Sequence, residues 1–127
     1  MAGAEAPDLV LIHDAARPFV TKANLDALIA DLERTGAAIL ASPLADTLKR
    51  ARPQSPTIDT TISREGLWRA ETPQGFRFDG IHSAHTAAQQ SGRTDFTDDA
   101  SIAEWAGMAV SLVDSGGGNT KITTAED

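Results

Sequence analysis

One hundred and twenty-seven residues make room for one small domain. Eighteen acidic against eleven basic side chains leave a net charge of −7, with 41% hydrophobic and 23% charged residues; these values exclude an intrinsically disordered chain and a broad phosphate-tracking nucleic-acid surface. With no cysteine there is no disulfide framework, iron–sulfur cluster, thiolate zinc site or cysteine nucleophile, and the apolar run Leu9–Ile12 is far too short to span a membrane. The opening Met-Ala-Gly-Ala-Glu-Ala-Pro has neither a basic nor an apolar signal segment, so a soluble, cytoplasmic chain is expected.

In chain order, Asp8-Leu-Val-Leu-Ile-His13 is a short continuous apolar run without alternation, which predicts a buried strand of a parallel sheet. A polar loop, His13 to Pro18, follows. Thr21 then caps a helix from about Lys22 to Arg34, with Leu25, Leu28, Ile29 and Leu32 on one face and Gly36 past its end. Ala37–Pro43 reads as the next buried strand, giving a strand–helix–strand unit typical of α/β layered folds.

From Asp46 to about Ser63 the chain turns polar and β-rich. Two runs, Thr47–Arg50 and Thr57–Ser63, flank a stretch containing Pro53, Ser55 and Pro56, and the alternation of Ile58, Thr60 and Ile62 predicts a ribbon with one covered face. A lone ribbon is marginal in water, so it is expected to pack on something else, naturally a partner subunit. Charge separates here too: residues 46–77 hold six basic and four acidic side chains, a net +2, against −9 for the remainder. Such a window suits a small anion, although charge alone favours a solvated arm.

Beyond the arm, Thr72-Pro-Gln-Gly75 reads as a constrained turn, and Trp68, between two arginines, as a packing or cation–π residue. Phe78, Ile81, Ala84, His85 and Ala88 outline a second helix ending near Ser91-Gly92. Thr97 is the expected N-cap of a third, with Asp98 and Asp99 in its first turn and Gly107 beyond it. Met108–Val113 reads as a strand, and the flexible Ser115-Gly-Gly-Gly-Asn119 loop leads into a strand-like Thr120–Thr123. Thr123 and Glu126 form a capping box for a helix beyond the chain, and both ends are expected to be cut.

Four constellations carry candidate chemistry. His13-Asp14-Ala15-Ala16-Arg17 ends a strand, where ligands bind in open α/β sheets; Asp14 can organise a cation or hydroxyl and Arg17 can clamp phosphate, or the two make an ordinary loop pair. The Gly66–Phe76 run offers hydroxyl and backbone groups. The Thr97-Asp98-Asp99 turn is explained by capping, although a helix start also offers amides to a phosphate. Lys121, after the glycines, is ordinary surface unless its context recruits it. Asp79, His82 and His85 drift off one helix face and do not build a metal site. No G-x-G-x-x-G, P-loop or G-x-S-x-G motif is present, which removes dinucleotide, P-loop and α/β-hydrolase readings.

Taken in order, the segments resemble the 2-C-methyl-D-erythritol 4-phosphate cytidylyltransferase family of the non-mevalonate isoprenoid pathway. The matching text is Ile-His-Asp-Ala-Ala-Arg-Pro (12–18), Asp-Thr-Leu-Lys (46–49), Gly-Leu-Trp-Arg-Ala-Glu-Thr-Pro-Gln-Gly-Phe (66–76), Phe-Thr-Asp-Asp-Ala (96–100) and Asn-Thr-Lys-Ile-Thr (119–123), closing with Glu126-Asp127. The family's N-terminal Gly-rich nucleotide loop has no counterpart here. The resemblance therefore implies part of a single doubly wound, Rossmann-like α/β nucleotidyltransferase domain over 1–127, with a protruding β-arm at about 46–64.

It further implies a transferase that joins CTP and methylerythritol phosphate with Mg²⁺, releasing pyrophosphate, and a homodimer joined through the arm, with neither nucleic acid nor membrane as partner. By the same resemblance, Asp14 meets the methylerythritol and the metal region, Ala15 lies against the nucleotide, and Arg17 stands near the substrate phosphate. Thr47 on the arm, with Arg64 and Thr72 across the dimer interface, holds the methylerythritol phosphate. Thr97 contacts the polyol, and Lys121 approaches the phosphates of both substrates. The chain is then the acceptor-binding and dimerising part, with little activity alone. A pentitol-phosphate cytidylyltransferase and a non-catalytic dimerising module are the alternatives.

Overall fold

A computed structural model describes residues 7–126. The elements run β1 (Leu9–Ile12), α1 (Lys22–Thr35), β2 (Ala37–Pro43), β3 (Leu48–Ala51), β4 (Ile58–Ile62), β5 (Trp68–Arg77), α2 (Phe78–Ser91), α3 (Asp99–Trp105) and β6 (Ser111–Asp114). Two sheets form, a four-stranded one in the order β1-β5-β2-β6 and the two-stranded ribbon β3-β4.

The α/β expectation holds, with helices on both faces of the main sheet. Alternation along β2 sends Ala38 and Leu40 to one side, where Leu28 and Leu32 of α1 cover them. Ala37 points to the other side and packs with Phe76, Ile81 and Ala84 of β5–α2 and Ala103 of α3. β2 is buried for six consecutive residues, as its unbroken apolar text predicts. The α1 boundaries also hold: Thr21 accepts the amide of Asn24, and Gly36, in the left-handed region at φ 89°, donates its amide to Leu32.

Strand direction differs from expectation. β1 is half-buried rather than buried, and its partner is β5, antiparallel, with Leu9 opposite Arg77 and Ile12 opposite Gln74. The text of β5 predicts a turn, because Pro73, Gly75 and charged residues punctuate it. It is instead the longest strand, antiparallel to both β1 and β2. Pro73 is tolerated because the β2–β5 register shifts between Ile39 and Ala41, so the segment opposite Leu40 escapes regular pairing. Gly75 is needed for contact: an added Cβ would lie 2.8 Å from both Leu11 and Leu32 side-chain carbons. The lone parallel pairing among the described strands is β2 with β6.

Other expectations are corrected in detail. Asp98, not Thr97, is the α3 N-cap, because the Asp98 carboxylate takes the Ser101 amide while the Thr97 hydroxyl meets Ser101 Oγ. The last strand is Ser111–Asp114 rather than Met108–Val113, and residues 120–123 are irregular because Ile122 gives its amide to the Ala16 carbonyl instead of a ladder. The Glu126 amide donates to Thr124 Oγ1 at 3.3 Å, and the helix that the capping box announces lies outside the described residues. The cation–π contact in the described structure is Arg93 over Phe96; Trp68 sits on β5 opposite Pro43. Among the described residues the ribbon is exposed on both strands apart from half-buried Ile62, and Ile58 is 57% exposed. No helix among the described residues is long and apolar enough to cross a membrane.

Candidate active site

The site forms where the loops after β1 and β6 meet over the irregular centre of β5. Because β1 ends opposite Gln74, the chain beyond it runs past Thr72, and the Asp14 amide donates to Thr72 Oγ1 at 2.9 Å. That oxygen lies 3.1 Å from His13 Nδ1, whose ring places Nε2 2.9 Å from the Arg17 carbonyl. Since the Arg17 carbonyl can only accept, the neutral imidazole that satisfies both contacts has its proton on Nε2 and accepts the Thr72 hydroxyl hydrogen at Nδ1. In that state Thr72 Oγ1, which also accepts the Asp14 amide, keeps one lone pair for a ligand.

Asp14 closes its own loop by accepting the Ala16 amide on Oδ1 at 2.9 Å, while Oδ2 lies 3.3 Å from Lys121 Nζ. The Ala16 amide, followed by the Lys121 ammonium, holds the Asp14 carboxyl below the usual carboxylate range, so it is ionised at neutral pH. Arg17 donates from Nη1 to the Asn119 carbonyl at 2.6 Å, and the Ile122 amide donates to the Ala16 carbonyl at 2.8 Å. Arg17 and Lys121 thereby line one cleft of about 270 Å³, with Arg69, Ala70, Glu71, Gly117, Asn119 and Thr120.

The structure thus brings together Asp14, Arg17, Thr72 and Lys121, with Ala15 exposed on the connecting turn. Thr97 is exposed and does not line the cleft; its neighbour Asp98 accepts from the Gln74 side-chain amide at 3.0 Å, tying the start of α3 to β5. Thr47 and Arg64 stay on the exposed arm, where Arg64 donates to the Ala45 carbonyl, and do not join the cluster of this chain.

Sequence reasoning passed over Glu71 and Asn119, 7% and 1% exposed, and Arg69 in the cleft wall. Glu71 accepts from Ser42 Oγ and Asn119 Nδ2, and Asn119 also donates to the Thr72 carbonyl. The text carried no signal for Glu71, which stands in a run punctuated by Arg69, Pro73 and Gly75. Among the described residues no cluster of three or more His, Cys, Asp or Glu side chains is placed to hold a metal. The ionised Asp14 carboxylate, part-exposed at the cleft beside Lys121, is of the donor type that a hard divalent cation takes.

Comparison with known proteins bears on the family to which the chain belongs. The chain is 50% identical over 121 residues to the bifunctional enzyme IspD/IspF of Chelativorans sp. (strain BNC1), covering 95% of this chain and 29% of that protein. It is 49% identical over 132 residues to the bifunctional enzyme IspD/IspF of Bradyrhizobium diazoefficiens, covering 33% of it. The chain therefore spans about a third of the length of these curated relatives. Among solved structures it superposes on 2-C-methyl-D-erythritol 4-phosphate cytidylyltransferase from Thermus thermophilus with a TM-score of 0.85 and 33% identity, over 94% of this chain and 57% of that one. Residues 1–127 match the family described as IspD, 2-C-methyl-D-erythritol 4-phosphate cytidylyltransferase, and the chain belongs to that family.

Proposed function

We propose that this chain supplies the acceptor-binding half of a cytidylyltransferase site, in which methylerythritol phosphate attacks the α-phosphorus of CTP. One observation carries the reading: Arg17 and Lys121, delivered by opposite edges of the sheet, line one cleft beside an ionised Asp14. A phosphate oxygen of the acceptor forms the new bond to phosphorus, the α–β phosphoanhydride breaks, and pyrophosphate leaves with the electron pair. Two anions must be brought together, so catalysis consists of positioning and charge neutralisation.

Arg17 spends one N–H on the Asn119 carbonyl, which fixes its plane and leaves further donors for the acceptor phosphate. Lys121, half-exposed and on a flexible stem, neutralises charge at the phosphates of both substrates. The Asp14 carboxylate accepts from a polyol hydroxyl, Thr72 offers its remaining lone pair, and exposed Ala15 leaves the nucleotide room to approach. Thr97, beside β5, contacts the polyol. Asp14 is the residue that would hold Mg²⁺ together with the substrate phosphates, and the ion supplies Lewis-acid charge stabilisation when bound.

The exposed ribbon supports a homodimer: Leu48 and Ile58 are left uncovered, and a two-stranded ribbon gains little stability alone. Thr47 and Arg64 then serve the acceptor site through the arm. The compartment consistent with CTP and a soluble sugar phosphate is the cytoplasm. Calorimetric titration with methylerythritol phosphate tests the reading. Binding that Lys121→Ala weakens, and that exceeds binding of a pentitol phosphate, supports it; equal binding of both phosphates or none overturns it.

A further inference from the structure

Glu71 is buried in the cleft wall, yet the reaction above gives it no task. Its carboxylate oxygens face apart, Oε2 accepting from Ser42 Oγ at 2.7 Å and Oε1 from Asn119 Nδ2 at 3.2 Å. Both partners are neutral, so what the group supplies is a pair of fixed acceptors. Asn119 is fully enclosed, and its second amide hydrogen goes to the Thr72 carbonyl at 2.7 Å. Its side chain therefore has one position, and that position sets its main-chain carbonyl, on which the Arg17 guanidinium rests at 2.6 Å. Two residues on, Lys121 reaches Asp14. The loop that delivers Asn119 contains Gly116, Gly117 and Gly118, the first two at positive φ, and glycines provide no side chain with which to anchor themselves.

We infer that Glu71 is a positioning residue: through Asn119 it locks the end of the glycine loop and so aims both Arg17 and Lys121 into the cleft. The clamp runs from β2, through Ser42, to β5 and on to the loop, and it works by hydrogen bonding rather than by charge. A glutamine preserves it, because its oxygen accepts from Asn119 and its NH₂ donates to the Ser42 hydroxyl. A leucine removes both acceptors. A buried negative charge would by itself oppose an anionic ligand, so Glu71→Gln separates the clamp from the charge.

The inference rests on the proposed acceptor site for its ligand readout alone. The experiment uses the chain itself, wild type, Glu71→Gln and Glu71→Leu, followed first by NMR without ligand. Restricted Arg17 guanidinium resonances and slow amide exchange over residues 116–121 are expected in wild type and restored in Glu71→Gln. In Glu71→Leu the guanidinium resonances average and those amides exchange at least about tenfold faster, while Ile39 and Leu40 in β2 keep their protection. Titration with methylerythritol phosphate should then give affinities within about twofold for Glu71→Gln and about tenfold weaker for Glu71→Leu.

An unchanged Arg17 signature and loop exchange in Glu71→Leu overturns the inference, as does a Glu71→Gln variant as impaired as the leucine. Should wild type fail to bind methylerythritol phosphate, the proposed function falls, and the ligand-free signals still decide the role of Glu71. If Glu71→Leu does not fold, Ser42→Ala/Glu71→Leu leaves no orphaned serine and still cuts the link to Asn119; the same loosening is expected of it, and an unloosened loop contradicts the clamp.

Discussion

Arg17 and Asn119 lie 102 residues apart in the chain, and the guanidinium of one donates to the main-chain carbonyl of the other at 2.6 Å. The bond joins the loop leaving β1, at one edge of the sheet, to the loop leaving β6 at the other. It also orients a cation without neutralising it. A carbonyl dipole fixes the plane while the positive charge stays available to the cleft, which an Asp partner would not allow.

The first prediction concerns this geometry. Arg17→Lys keeps the charge but cannot hold Asn119 and a phosphate in one plane, so affinity for methylerythritol phosphate should fall by about tenfold or more. Calorimetry on both proteins checks it, and wild-type affinity in the lysine variant would mean that charge alone suffices.

Acid stability follows from Asp14 and Asp98, both held below the usual carboxylate range. For Asp14 the Ala16 amide is the main cause and Lys121 the next. For Asp98 burial pushes upward, and hydrogen bonds from the Ser101 hydroxyl, the Gln74 amide and the Ser101 backbone together outweigh it. A carboxyl with a depressed folded value contributes stability above its unfolded value and loses it as pH falls through the folded value. Thermal melts of wild type and Asp98→Asn, which keeps an N-cap, should differ most near neutral pH. The gap should close as pH falls below the usual carboxylate range; a gap constant down to acid unfolding contradicts the assignment.

Gly75→Ala puts a methyl against Leu11, which is exposed enough to move, and against Leu32, which is fully buried. The cost should be about 1–3 kcal/mol in denaturant unfolding, at unchanged slope. A neutral substitution would show that α1 shifts freely on β5.

Ile58→Asp on the exposed ribbon should leave the melting temperature of the dilute chain unchanged while shifting its sedimentation from dimer toward monomer. A dimer that persists in the variant would place the contact elsewhere.

Much of this fold was legible where local chemistry and burial agree. Thr21 and Gly36 bracket α1, Gly92 ends α2, and the apolar text of β2 matches the burial of its first six residues. β5 was not legible, because a proline and a glycine inside a strand are tolerable only through a register shift and a close helix contact, both tertiary. The direction of β1 was lost with it, since an antiparallel neighbour leaves no mark on a four-residue run. At the site, Asp14, Arg17, Thr72 and Lys121 were identifiable from their motifs and do converge. Glu71 and Asn119 were not, because a buried acid satisfied by neutral partners looks in sequence like any surface acid.

The most direct test of the Arg17–Lys121 cleft as the acceptor-phosphate site is an NMR titration of the chain with methylerythritol phosphate, following side-chain and amide resonances residue by residue. Saturating shifts at the Arg17 guanidinium and at the amides of Asn119, Thr120 and Lys121, abolished in Arg17→Ala, are the predicted result. Shifts confined to the outer faces of α2 and α3, or shifts that survive Arg17→Ala unchanged, would contradict it.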